Sequence, residues 1–141
     1  MYFHILMHNS KLLQDRVVKE LESKNIHHGQ ARVLVVLLQN SNISQIELSN
    51  GLNIKRPTAS RMLKQMEETD LIVRTSDPND DRIIRLKLTE NGLKKAVIVK
   101  EVWDRINKDL LDWIPEEHHE LFNELLVIIR NNLGGKEPYL K

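Results

Sequence analysis

The chain has 141 residues, 40% of them hydrophobic, and 21 lysines and arginines stand against 20 acids for a formal net charge of +1. That length fits one domain with a core of its own, and the near balance of charge excludes a chain that is basic throughout. Cysteine is absent, which excludes disulfides, thiolate metal centres and thiol redox chemistry and is expected of a reducing cytoplasm.

The start, MYFHILMHNSKLL, lacks the basic segment, apolar stretch and small-residue cleavage site of a signal peptide. No apolar run approaches the roughly 20 residues that span a bilayer, so a soluble cytoplasmic protein without a membrane partner is expected. Ile5, Leu6, Leu13, Val17 and Leu21 recur at helical spacing and predict a first helix over about Tyr2 to Glu22. NIHHG at 25–29 interrupts it. A second helix follows with Ala31, Leu34, Val35, Leu37 and Leu38, an apolar arc wide enough for burial on most sides.

In NSNISQIELSNGLNI, Ser44 followed by Glu47 is a capping box and marks a short helix. Gly51 is expected to stop it in the left-handed conformation. KRPTASRMLKQMEETD predicts the next helix, with Pro57 in the first turn, where no intrahelical N–H is required. Ala59, Met62, Leu63 and Met66 form its inner stripe; Arg56, Thr58, Ser60, Arg61 and Lys64 form its outer face.

LIVRT reads as a strand, SDPND as a turn, and Ile83–Leu88 as a second strand in which Ile84, Leu86 and Leu88 alternate with Arg85 and Lys87. The two runs predict a hairpin. Thr89 caps a long helix over about Glu90 to Asp112, carrying Leu93, Ala96, Val97, Trp103, Ile106 and Leu110. Pro115 opens a last helix whose stripe of Leu121, Phe122, Leu125, Leu126, Ile128 and Ile129 is wider than a surface helix hides, so a partner surface is expected. GGKEPYLK reads as a tail. No repeat and no linker divides the chain.

Two helices across a tight turn followed by a two-stranded ribbon predict a winged helix-turn-helix, mainly α with a small β-hairpin. Charge is unevenly spread. Residues 53–66 hold Lys55, Arg56, Arg61 and Lys64 and no acid, a local +4, whereas residues 101–124 carry a local −6. One end of the molecule is fit to meet phosphates and the other is repelled by them. A helix of this width enters the major groove of double-stranded DNA. Arg61 is the expected base contact, since its guanidinium pairs bidentately with guanine, and Thr58 can offer its methyl to thymine. Ser60 and Arg56 share that face, while Lys55 and Lys64 are expected on phosphates, as contacts that position the helix. In the wing, Arg82 can reach an adjacent minor groove. Asp80 is expected to cap the turn and steady Arg82, and Arg85 is placed with them on the DNA-facing side.

DDRIIRLKLTENG resembles the wing signature D-x-R-x-x-x-L-x-L-T-x-x-G of the MarR family of transcriptional regulators, met here by Asp80, Arg82, Leu86, Leu88, Thr89 and Gly92. ELSNGLNIKRPTASRMLKQMEETDLIVR is similar to the family's helix-turn-helix and following strand. The resemblance implies a single domain over residues 1–133, with 29–89 as the winged helix, 1–28 and 90–133 as dimerisation helices, and 134–141 as a tail. It also implies a homodimeric repressor on a pseudo-palindromic operator, released by a small effector, an aromatic or phenolic anion. His8, Arg16, His28, Arg32 and Trp103 are the expected lining of an effector cleft between the first, second and fifth helices. Two positions depart from the pattern. Asp70 replaces the usual glycine before the wing, and Lys55 replaces a Ser, Thr or Asp cap, so the recognition helix is expected to be less firmly capped or to start one residue away.

His4 and His8 are spaced i, i+4, and His27–His28 and His118–His119 are adjacent pairs. Without cysteine or an H-E-x-x-H pattern no metal site is expected, and a metal-responsive regulator of the same fold is kept as the alternative. No G-x-S-x-G, P-loop or glycine-rich dinucleotide loop occurs, so neither an enzyme nor a cofactor is expected. A winged helix that only docks proteins is the remaining alternative; it would show no DNA binding for Arg61→Ala or Arg82→Ala to remove.

Overall fold

The computed structural model describes residues 1–136 and contains α1 (Tyr2–Glu22), α2 (His28–Gln39), α3 (Gln45–Gly51), α4 (Arg56–Glu68), β1 (Ile72–Asp77), β2 (Asp80–Leu88), α5 (Glu90–Asp112), a 3-10 turn (Glu116–His118) and α6 (His119–Asn132). It is mainly helical with one antiparallel hairpin. Of the expected tail, residues 137–141 lie outside the described residues. No helix among the described residues is long and apolar enough to cross a membrane.

α2 lies at the centre. Val33, Leu34, Val35, Val36 and Leu37 are all buried, which a helix permits only when neighbours cover every side. α5 supplies the largest of those neighbours, through Ala96, Val99, Val102 and Ile106, and α1 adds Leu21. Leu48, Leu63, Met66, Ile72 and Leu86 bring α3, α4 and the hairpin onto the same core. Each fully buried Leu or Val contributes about 1.5–3 kcal/mol. The winged unit and the long helix are therefore one packed body.

α1, α3 and α4 end on asparagine or aspartate, and only α6 ends on a glycine, Gly134 at φ 77°, among the described residues. Asn25, Asn53 and Asp70 have φ of 57°, 52° and 59°, and each ends a helix. After α3, the Ile54 N–H donates to the Ser49 carbonyl (2.9 Å) and the Asn53 N–H to the Asn50 carbonyl (3.2 Å), a Schellman pair. Gly51 is thus not the left-handed stop expected of it. The helix runs on until Leu52 is buried, and the stop falls on Asn53, a residue type that tolerates αL. Asp70 does the same after α4: the Leu71 N–H donates to the Met66 carbonyl at 2.8 Å.

The hairpin is longer than its apolar run. Strand pairing continues to Asp77↔Asp80, so only Pro78 and Asn79 form the turn, and the second strand begins three residues before the expected Ile83. A short bridge, Ser44↔Arg85, with the Leu86 N–H donating to the Ile43 carbonyl at 2.9 Å, attaches the loop before α3 to β2. Pro115 does not open α6 directly. It precedes the 3-10 turn, and α6 starts at His119, whose Nε2 lies 2.9 and 2.8 Å from the carbonyls of Leu111 and Ile114.

Two surfaces lack cover among the described residues. Every residue of α1 up to Leu12 is exposed, including Tyr2, Phe3, Ile5, Leu6 and Met7, and α6 has no buried residue at all. Leu121, Leu125, Leu126, Ile128 and Ile129 stay exposed, and Trp113 stands at 65%.

Candidate nucleic-acid interface

Burial of Ala59, Leu63 and Met66 sets the rotation of α4. Helical geometry then puts Pro57, Arg61 and Lys64 at the middle of the outer face. Arg56 and Ser60 lie on the side nearer the wing, and Thr58 and Gln65 on the opposite side. All are exposed. Gln65 was missed in the sequence, although an amide i+4 from Arg61 on the same face was visible there. Among the described residues no ion pair engages Lys55, Arg56, Arg61 or Lys64. Lys55 is the N-cap and makes no side-chain capping bond, so the helix begins with outward N–H groups at Arg56 and Thr58 that suit an anion.

The wing tip is tied by its own acids. Asp77, not Asp80, caps the turn, accepting the Asn79 N–H at 2.8 Å. Asp80 instead accepts the Arg82 N–H and Nε on Oδ1 and Nη2 on Oδ2, each at 3.0 Å. That two-point grip keeps a side chain 90% exposed in a defined direction. The Arg82 guanidinium, and then its N–H, hold the Asp80 carboxyl below the usual carboxylate range. At the wing's root the Arg74 N–H and guanidinium donate to Glu67 at 3.2 and 3.1 Å, which fastens β1 to the end of α4.

Arg85 lines one cleft with Arg56 and Arg82 but is held by acids of its own chain. Its Nε donates to Asp77 at 2.9 Å, and Nη1 lies 3.6 Å from Glu47. It belongs to a network within the chain, beside its expected place on the DNA-facing side of the wing. Glu47 closes the capping box as predicted: the Ser44 N–H donates to it at 2.9 Å and Ser44 Oγ accepts the Glu47 N–H at 3.1 Å. The Ser44 N–H, its hydroxyl and Arg85 together hold the Glu47 carboxyl low.

α3, α4 and the wing enclose a cleft of about 430 Å³ lined by Arg56, Arg82, Ile46, Ile83, Ile84 and Gln45 among others. Arg56 from the helix and Arg82 from the wing thus stand on walls of one groove. None of the five residues expected around an effector lines it. His8 is exposed on α1; His28 is exposed and stacks on His27 with ring centroids 4.7 Å apart. Arg32 reaches the Leu52 carbonyl at 3.5 Å, and Trp103 packs against the core. Arg16 pairs with Glu20 at 3.0 Å and with Asp109, and lies over the Trp113 ring at 5.8 Å. A ligand carboxylate would have to displace two acids to reach it. No group of three His, Asp or Glu close enough to hold a metal occurs among the described residues.

The MarR family model matches residues 26–84. The HTH-type transcriptional regulator YdgJ of Bacillus subtilis (strain 168) is 30% identical over 112 residues, covering 79% of this chain and 68% of that protein. The S. aureus MepR–DNA complex superposes with a TM-score of 0.86 at 23% identity, over 94% of this chain and 98% of that one. The transcriptional repressor CouR, bound to a 23-mer DNA duplex, gives a TM-score of 0.81 at 24% identity over 92% of each chain. With the family model laid over the helix-turn-helix and wing just described, and a relative that similar over most of its length, the chain belongs to the MarR family of winged helix-turn-helix regulators.

Proposed function

We propose that the protein is a homodimeric transcriptional repressor that binds a pseudo-palindromic operator in double-stranded DNA and acts in the cytoplasm. One observation carries this reading: four cations of the recognition helix are exposed and make no ion pair among the described residues, beside an arginine-tipped wing, on a groove that both elements line. Unpaired surface cations keep a mobile counterion shell, and releasing their counterions is what drives association with a polyanion. Thr58, Ser60, Arg61 and Lys64 are assigned to the major groove, Lys55 and Arg56 to phosphates at its edge, and Arg82, held by Asp80, to the minor groove. DNA duplexes bound to MepR and CouR support the assignment by likeness of fold.

The dimer follows from the uncovered apolar faces. α6 has no buried residue and is tied to the rest of the chain mainly through His119, and exposed Leu and Ile at this density mark an interface. A two-fold axis through α1 and α6 would set the two α4 helices about 34 Å apart, one turn of DNA. Relief by a small anion is part of the proposal, at a site other than Arg16.

The test is fluorescence anisotropy with DNA from upstream of the protein's own gene, at salt from low to physiological, alongside light scattering. Binding should weaken steeply with salt, and the mass should be that of two chains. No binding at low salt, or a monomer that binds as tightly, overturns the proposal.

A further inference from the structure

The hairpin carries two arginines that line one cleft but are held differently. Arg82 is 90% exposed and grips only Asp80, its neighbour on the same strand. The Arg85 side chain is 26% exposed and meets three separate parts of the chain. Its Nε donates to Asp77 Oδ2 at the end of β1 (2.9 Å). Nη1 lies 3.6 Å from Glu47 Oε2 in the first turn of α3 and 3.5 Å from the Asn42 carbonyl in the loop before it.

Each partner has a second task. Asp77, at 14% exposure, also accepts the Asn79 N–H that closes the wing turn. Glu47 also accepts the Ser44 N–H that starts α3. Beside them runs the Leu86 N–H to Ile43 carbonyl bond. A continuous path therefore links the wing tip, through Asp77, Arg85 and Glu47, to the helix-turn-helix. A two-stranded ribbon has little rigidity of its own, so these contacts set its angle.

We propose that Arg85 is a positioning residue: it fixes the wing against α3, without touching DNA, so that Arg82 meets the duplex in register with α4. This rests on the DNA-binding reading above. The competing role, a direct phosphate contact, predicts the opposite sign for one substitution. Were Arg85 on a phosphate, Asp77→Asn would free its guanidinium, remove a repelling charge and tighten binding. As a positioning residue, Arg85 loses its partner in Asp77→Asn and the wing loosens, so binding weakens although the chain has become more positive. Asparagine keeps an oxygen for the Asn79 N–H, so the turn is retained.

The experiment compares the full chain with its Asp77→Asn, Arg85→Met and Arg82→Ala variants, by anisotropy across a salt series and by hydroxyl-radical footprinting. Asp77→Asn and Arg85→Met should each weaken binding by about fivefold, the upper end for an ion pair of this exposure. Both should lose protection under the wing but not under α4, and with the Arg82 contact gone should lower the slope of affinity against salt as Arg82→Ala does. Arg82→Ala should lower the slope by about one, and Arg85→Met should add little in that background. Equal or tighter binding by Asp77→Asn, or a loss from Arg85→Met that is as large in the Arg82→Ala background as in the wild type, overturns the positioning role. If Arg85→Met fails to fold by circular dichroism, Asp77→Asn decides alone. A wild-type chain that binds nothing at low salt instead overturns the DNA-binding reading itself.

Discussion

Gly92→Ala tests how the wing is joined to α5. Gly92 lies in the first turn of α5, and a Cβ built there falls 1.9 Å from the Leu71 carbonyl oxygen and 2.9 Å from its carbon. The obstacle is backbone, so it cannot swing aside. Around it, the Thr89 N–H donates to the Leu71 carbonyl (3.1 Å), Thr89 Oγ1 donates to the Asp70 carbonyl (2.6 Å), and the Gly92 N–H donates to Thr89 Oγ1 (2.9 Å). Helix propensity alone would make alanine better here by about 1 kcal/mol. Against that, overpacking costs about 1–3 kcal/mol, and each clasp bond stretched open forfeits about 1 kcal/mol more. The clash wins, and the net loss is about 2–3 kcal/mol, a large share of the 5–15 kcal/mol typical of a folded domain. At about 2–4 °C per kcal/mol the melting temperature should fall by about 5–10 °C. Thermal and urea unfolding followed by circular dichroism, at one fixed protein concentration so that any self-association is held constant, measure both. Gly29→Ala is the control, since its Cβ meets only the movable His27 ring at 3.0 Å. A Gly92→Ala midpoint at or above wild type refutes the close-approach reasoning.

Arg82→Ala should leave the melting temperature unchanged, because the side chain is solvated, and should weaken operator binding about tenfold, most on A·T-rich flanks where the minor groove narrows; competition with G·C-rich flanks checks this, and an equal loss on both refutes the minor-groove role. Leu125→Asp, on the uncovered face of α6, should give a monomer by light scattering that no longer shifts operator DNA; a dimeric Leu125→Asp would move the interface elsewhere. Stability should fall with acid through Glu20. Arg105 first, and Arg16 after it, hold its carboxyl below the ordinary range against the opposing effect of burial. The unfolded chain therefore takes up the proton first, and the stabilisation is present above the ordinary carboxylate pKa and lost as pH falls through the lowered one, from about pH 5 downward. Denaturation midpoints of Glu20→Gln should accordingly change less over that range than those of wild type, and parallel curves would refute the assignment.

Much of the molecule was legible because its signals are local. The bounds of α1 and α5 were read off apolar periodicity together with the Thr89 cap. The Ser44–Glu47 box and the Asp80–Arg82 grip join residues three and two apart, and such contacts follow from backbone geometry wherever the chain goes. The stop of α3 was misplaced at Gly51 because burial of Leu52, a tertiary event, carries the helix on to Asn53. Arg82 and Arg85 look alike in the sequence. Only the packing of α3 beside the hairpin gives one an internal network and leaves the other in solvent, just as only the crossing of α1 with α5 pairs Arg16 with Asp109. Spacing along a strand or helix determines which neighbours within a turn can meet; the partner of a long side chain is chosen by whichever distant element the core draws against it, and that choice belongs to the tertiary structure.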